Sequence, residues 1–246
     1  MRQFGLIGYP LGHTFSQKFF TEKFKTEKLK DCRYDIFSIP SIEELPVVLK
    51  NNPALCGLNV TIPYKEQVLS YLQVKSPLVK KINACNCIKI KDGKLIGHNT
   101  DAPAFTQSLK KHLQPHHKSA LILGTGGAAK AVEHSLRELK ISYKHVSRKP
   151  SATSFSYEQL TDKVMQQYLL VINTTPLGMF PNIVEAPQIP YHALTAKHYL
   201  FDLIYNPAKT LFLQKGEEMG ASTSNGYEML VLQAEESWRI WNDPER

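Results

Sequence analysis

The sequence predicts an α/β protein of two units, each built on a mostly parallel sheet, with the active site in the cleft between them. Three observations lead there. Strand-like and helix-like patterns alternate along almost the whole chain, which implies parallel strands joined by helices that cover both sheet faces. A polar, proline-containing stretch, Gln114-Pro115-His116-His117, interrupts the series, and a second alternating series begins after it. That second series opens on an apolar strand that runs into a glycine-rich loop and then a helix, over residues 119–129.

The elements follow in order. Residues 2–8 read as a strand, and in 16–29 Phe19, Phe20 and Phe24 fall close to one helical face. A strand at about 33–39, a helix at 41–50 and a strand at 55–60 come next. Pro63 suits the first turn of a helix. Residues 87–91 and 94–98 flank Asp92-Gly93, a pair that favours a tight hairpin. A helix runs from near Pro103 to about Leu113. Beyond the break the reading is strand 120–123, helix 127–140, strand 142–147, helix 156–167 and strand 168–172. Residues 176–197 are proline-rich and loop-like. A strand at 198–203, a helix at 208–219 and a last helix at 227–241, carrying Trp238, Ile240 and Trp241, complete the chain.

Composition narrows the class. A chain of 246 residues can bury one large core or two modest ones. With 42% hydrophobic and 21% charged residues it reads as globular, and no window reaches the apolar run of a membrane helix. Residues 1–10 lack a signal-peptide core and already read as strand and turn, so a cytoplasmic protein is expected. The net charge of +8 is spread over scattered lysines, with only short pairs such as Lys80-Lys81 and Lys110-Lys111. That favours a solvated basic surface over a nucleic-acid partner, though its field would help draw in anionic small molecules. Cys85 and Cys87 are close, but no second cysteine pair completes a zinc set, so no metal is expected. Either a monomer or a homodimer is compatible with the chain.

The loop Gly124-Thr125-Gly126-Gly127-Ala128-Ala129 matches G-x-G-x-x-A between a strand and a helix. Gly124 permits the tight turn, Gly126 lets backbone approach a pyrophosphate, and the small Ala129 permits close helix–strand packing. The helix start offers N–H donors to phosphate. About twenty residues on, where an NAD site carries Asp or Glu for the ribose hydroxyls, the chain has Ser147-Arg148-Lys149. A hydroxyl and two cations suit a 2′-phosphate, so the reading is a Rossmann-type NADP-binding domain. A generic strand–helix turn and a solvated loop start are the alternatives.

The first half carries Asn59-Val60-Thr61-Ile62-Pro63-Tyr64-Lys65, then Asn86, then Asn99-Thr100-Asp101, each at a strand end or helix start. In open α/β sheets those ends form the ligand crevice. Reducing a ketone by hydride leaves negative charge on oxygen and needs a proton donor and an electrostatic stabiliser. Lys65 can supply both, and Asp101 can orient it. On spacing alone, a lysine in a helix first turn is usually a surface charge, and Thr100 or Asp101 is also a good helix N-cap.

Taken together these segments resemble the shikimate dehydrogenase family, in motif order and over most of the chain. Residues 59–65 match its N-V-T-x-P-[FY]-K signature, and Gly8-Tyr9-Pro10-Leu11-Gly12-His13-Thr14-Phe15-Ser16 is similar to its substrate-carboxylate loop. Residues 124–130 fit its G-x-G-G-A-x-[RK] loop. Asn173-Thr174-Thr175, Asp202-Leu203-Ile204-Tyr205 and the 226–233 segment GYEMLVLQ resemble later motifs. The resemblance implies a small-molecule enzyme that reduces 3-dehydroshikimate to shikimate with NADPH. It implies Lys65 and Asp101 as catalytic residues and Thr14, Ser16, Asn59, Thr61, Asn86, Tyr205 and Gln233 around substrate. Gly124, Gly126, Gly127, Ala128, Ser147, Arg148, Lys149, Asn173, Thr174 and Gly226 would meet NADP, with Asn225 and Gly226 as a hinge. The family's topology implies a substrate domain of 1–101 plus 226–246 and an NADP domain of 102–225. Departures are Tyr9, Thr14, Gln17 and Ala102, where the family favours Asn, Ser, Pro and Gly. The extra methyl of Thr14 bears on a choice between shikimate and quinate. The other class of reading is a non-catalytic NADP sensor, which has no need of both Lys65 and Asp101.

Overall fold

The computed structural model describes residues 1–12, 14–149, 151 and 153–244, so His13 of the N-terminal motif lies outside the described residues. Two compact units divide the chain, Met1–Thr100 with Val231–Arg246, and Asp101–Leu230.

The first unit begins β1 (Arg2–Gly8), α1 (Phe15–Thr26), β2 (Cys32–Ser38), α2 (Leu45–Asn51) and β3 (Leu55–Val60). It continues β4 (Val74–Lys75), α3 (Pro77–Ile82), β5 (Cys87–Lys91) and β6 (Lys94–His98). Its sheet has the order β2-β1-β3-β5-β6-β4. β1 runs parallel to β2 and β3, whereas β5 is antiparallel to β3 and β6. Central β1 is buried along nearly its whole length, as a parallel strand covered on both faces must be. Its alternate residues serve two cores. Ile7 joins Leu45, Leu58, Val68 and Ile88 on one face, while Phe4 and Leu6 join Phe20, Phe24, Tyr34 and Trp241 on the other. The β5–β6 turn is the expected hairpin, with Asp92 and Gly93 both at positive φ (49° and 71°).

The second unit follows as α4 (Asp101–Lys110), β7 (Ser119–Leu123), α5 (Gly127–Glu138), β8 (Ser142–Val146), β9 (Ser154–Phe155) and α6 (Asp162–Gln167). Then come β10 (Leu170–Asn173), β11 (Tyr199–Asp202), α7 (Leu211–Glu218), β12 (Ser222–Ser224) and α8 (Tyr227–Asn242), whose last turns belong to the first unit. The sheet order is β12-β11-β10-β7-β8-β9, every neighbour parallel. Chain direction across the sheet reverses between β7 and β10, which makes their carboxyl ends the switch point where such sheets take ligands. Leu121 and Leu123 pack into one core and Ala120 and Ile122 into the other. No helix among the described residues is long and apolar enough to cross a membrane.

Three expected helices differ. After Pro63 the chain forms turns and then a 3-10 helix over Gln67–Tyr71. The Lys65 carbonyl accepts from Cys85 N (2.7 Å) and Leu69 N turns to the Glu66 carbonyl (3.1 Å), so the i to i+4 ladder stops at a single bond, from Val68 N to the Tyr64 carbonyl (2.9 Å). The 41–50 helix is a 3-10 turn over Ile42–Glu44 and then α2, because Pro46 enters at the helix start. The 156–167 helix likewise splits into a 3-10 turn over Tyr157–Gln159 and α6, which Thr161 caps.

Candidate active site

In the first unit, the residues singled out by sequence gather at the carboxyl end of β3 and around Thr100. Asn59 ends up buried, 4% exposed, and its amide is consumed internally. Tyr34 Oη donates to Asn59 Oδ1 (2.8 Å) and Asn59 Nδ2 donates to Ser237 Oγ (2.9 Å). Ser237 Oγ in turn donates to the Gln233 carbonyl (2.8 Å) and lies 3.4 Å from Thr100 Oγ1. Asn86 Nδ2 donates to Thr100 Oγ1 (2.9 Å) while its Oδ1 accepts from Thr100 N (2.7 Å). Ser16 pairs with the Tyr34 hydroxyl. One polar chain therefore links half-buried Ser16 to the buried Tyr34, Asn59, Ser237, Thr100 and Asn86. Thr14 caps α1, its Oγ1 accepting from Gln17 N (3.3 Å), which leaves the hydroxyl proton to donate elsewhere. Thr61 and Lys65 follow β3 and are half-buried, and Gln233 is 7% exposed.

Asp101 starts α4 and is 9% exposed. Together with Tyr205, which is 36% exposed in the turn after β11, it belongs to the second unit. At the switch point Gly124 has φ +107°, and a Cβ there would stand 2.8 Å from Thr174 Oγ1, so glycine is required on both counts. Thr174 donates through N (3.0 Å) and Oγ1 (2.7 Å) to the Leu123 carbonyl, tying the β10 loop to the β7 loop. Asn173 is fully buried. It donates to Asp202 Oδ1 (3.1 Å) and accepts from Thr175 N (3.0 Å) and Oγ1 (2.7 Å). Asp202 also accepts from Ile204 N (3.0 Å) and Thr210 Oγ1 (2.6 Å), yet burial pushes its carboxyl up to about 6. Gly226 packs directly on the Leu203 carbonyl, and its N–H donates to Ile204 O (2.9 Å), so a side chain cannot be accommodated there.

Whether a dinucleotide fits can be read from the α5 end. Gly126 is the N-cap of α5 and no side chain caps it, and a Cβ at Gly126 or Gly127 would meet nothing within 4 Å. Beside it lies an open cavity of about 880 Å³ lined by Thr125, His145, Ser147, Arg148, Lys149 and Ser154, among others. No carboxylate lines this cavity among the described residues, and two cations do. Open space over free helix N–H groups, followed by a cationic hydroxyl-rich recess, fits a dinucleotide that ends in a phosphomonoester. Thr125, His145 and Ser154 were not singled out from sequence. His145 could have been, since it lies two residues before Ser147, near the end of β8.

Residues 6–88 match the model for the shikimate dehydrogenase substrate binding domain. A shikimate dehydrogenase (NADP(+)) of Carboxydothermus hydrogenoformans is 38% identical, covering 96% of this chain and 90% of the relative. The chain belongs to the shikimate dehydrogenase family. Among solved structures, a chorismate mutase/shikimate 5-dehydrogenase fusion protein from Clostridium acetobutylicum superposes with TM-score 0.87 at 35% identity, over 98% of this chain and 91% of that one. The Thermus thermophilus shikimate 5-dehydrogenase, solved with NADP(H) and shikimate, gives 0.86 at 29% identity, over 100% and 96%. Within this family frame, Tyr34 and Ser237 are the site-supporting residues that no motif flagged. They sit far apart in sequence, and only the fold brings both to Asn59.

Proposed function

We propose that this chain is an NADP-dependent shikimate dehydrogenase, which reversibly reduces 3-dehydroshikimate to shikimate in aromatic amino acid biosynthesis, in the cytoplasm. The observation that carries the reading is the near full-length kinship with an NADP-dependent shikimate dehydrogenase, and the cation-lined cavity beside the 124–129 loop supports it.

Each role follows from chemistry. NADPH, when bound at the loop 124–129 with its 2′-phosphate toward Ser147, Arg148 and Lys149, supplies the hydride. Lys65 protonates the oxygen that gains charge and, in reverse, accepts that proton. Asp101 keeps the lysine oriented and shares its proton. Thr14 and Ser16 donate hydroxyls to the substrate carboxylate. Thr61, Tyr205 and Gln233 meet ring hydroxyls, and Asn86, with one amide proton given to Thr100, offers its second. The Asn59 amide is spent on Tyr34 and Ser237, so its part is to hold this surface in place. Asn173 and Thr174 act the same way on the cofactor side, holding the loop that faces Gly124.

The test follows nicotinamide absorbance with purified protein, NADP+ or NAD+, and shikimate or quinate. Turnover with NADP+ and shikimate is expected. Lys65→Ala should lower kcat by about 100-fold or more and leave KM nearly unchanged, since the proton is needed only as the transition state forms. Full activity in that variant would remove Lys65 from the mechanism. Thr14 favours one second reading, a quinate-accepting enzyme, because its methyl changes the carboxylate loop; comparable rates with quinate would support it. Binding of NADPH with no turnover of either substrate would point to a sensor.

A further inference from the structure

The recess that receives the 2′-phosphate in the reading above has a histidine in its wall. His145 lies on β8, and both its ring nitrogens face oxygen. Nδ1 is 2.8 Å from the Gly124 carbonyl and Nε2 is 3.1 Å from Glu133 Oε1. A carbonyl can only accept. Glu133 is held ionised as well, since its other oxygen accepts from Arg137 Nη2 (2.9 Å) and Tyr143 Oη (3.1 Å). A ring placed between two acceptors satisfies both only when it carries two protons. The neutral ring keeps one proton and must turn a lone pair toward one of them. The charged carboxylate is the stronger acceptor, so the lone pair then faces the Gly124 carbonyl.

We propose that His145, as an imidazolium bridging Gly124 and Glu133, is a positioning residue that locks the cofactor loop, so that NADPH affinity falls as His145 loses its proton. The inference rests on the assignment of that loop and cavity to NADP. It concerns the first glycine of the loop, which sits at φ +107° against Thr174, and whose N–H also donates to Val146 O (2.9 Å). The imidazolium therefore ties the glycine's carbonyl to the same strand that holds its N–H. α5 contributes Glu133 and Arg137, and Tyr143 on the same strand approaches edge-on at 5.8 Å between centroids. Arg148 and Lys149 line the same cavity from the loop beyond β8. The neighbouring strands bring Ile122 and Ser154 opposite His145, neither ionisable. The hydrogen bond that His145 donates to Glu133 raises it above its ordinary value of 6.5, while burial and Arg137 oppose it.

The experiment titrates NADPH fluorescence against the full-length wild type, His145→Phe and Glu133→Gln from pH 6 to pH 9. In the wild type the dissociation constant should rise by about tenfold as His145 titrates above 6.5, the cost of one charge-assisted hydrogen bond. The coenzyme's phosphomonoester gains its second charge near pH 6 and tightens binding as pH rises, so its trend has the opposite sign. His145→Phe should bind more weakly at low pH and show no such rise. Glu133→Gln should keep the rise but begin it at lower pH, because the carboxylate no longer holds the proton on the ring. A proton-NMR titration of His145 in the wild type, with and without NADPH, should show its midpoint move up on binding. Identical pH profiles in wild type and His145→Phe, or an NMR midpoint unmoved by NADPH, overturn the inference alone. No NADPH binding at any pH overturns the cofactor assignment, and the inference with it.

Discussion

Asn59 shows how far residue type alone leads. Its position in the signature is plain in the sequence, but the direction of its amide is not. The side chain turns inward to Tyr34 and Ser237, so the role proposed for it is to hold the neighbouring surface and not to touch substrate. Tyr34→Phe removes the donor to Asn59 Oδ1 and the oxygen that pairs with Ser16. A buried acceptor left unmatched costs about 1–3 kcal/mol, which urea unfolding would measure. The same change loosens Ser16 without touching Lys65. Steady-state kinetics should therefore show KM for shikimate up by about tenfold, with kcat within about twofold of wild type. A parallel fall in kcat would mean that the network also sets Lys65, the proposed proton donor. Ser237→Ala should act in the same direction, and neither residue carried a motif by which it could be found.

At the scale of elements, long ones were legible and short ones were not. β1, β3, α5 and α8 have enough residues for a period to show, whereas β4, β9 and β12 span only two or three and are defined by pairing with a neighbour. The helix expected after Pro63 failed for a related reason: the Lys65 carbonyl bonds to Cys85, a contact that no local pattern encodes. The β10 and β11 ends illustrate what the fold adds. Asn173 and Asp202 come to adjacent, register-matched strand positions, and Asp202 gathers donors from Asn173, Ile204 and Thr210. Burial still dominates and lifts the carboxyl from an ordinary 3.8 to about 6. Between those values the folded protein keeps a proton that the unfolded chain has lost. Stability should therefore fall as pH rises from about 4 to 6 and level off above, by about 2–3 kcal/mol from this group. Asp202→Asn removes the titration, so urea unfolding at pH 4.5 and 6.5 should show a flatter dependence than wild type. An unchanged slope would assign the pH dependence to other groups.

The whole molecule is a pairing of two units, each with its own sheet and its own pair of cores. Alternation made α/β units legible, but the break at 114–117 lies inside the second unit, which begins at Asp101, and the return of the C-terminal helix to the first unit came from family resemblance. Its physical basis is visible in the first unit itself. Trp241 stacks on Phe4 at 4.8 Å, donates Nε1–H to Ile88 O (3.0 Å) and lies directly over Gly57, where any side chain would collide with it. Lys89 and Lys91 donate to the carbonyls of Asp243 and Pro244, fastening the end of the chain to β5. Both tryptophans, Trp238 and Trp241, fall in this unit, so tryptophan fluorescence reports on it selectively. Trp241→Ala should remove about 3–5 kcal/mol from the transition followed through Trp238, the cost of deleting a large buried aromatic. The glycine-rich loop proposed to hold NADP, its cavity and His145 all belong to the other unit. NADPH affinity, measured below the unfolding transition, should then stay within about twofold of wild type, a change too small to reflect a lost contact. Loss of NADPH binding in parallel with the first unit's stability would mean that the second sheet does not stand on its own cores, and the C-terminal helix would have to be counted as part of the cofactor fold.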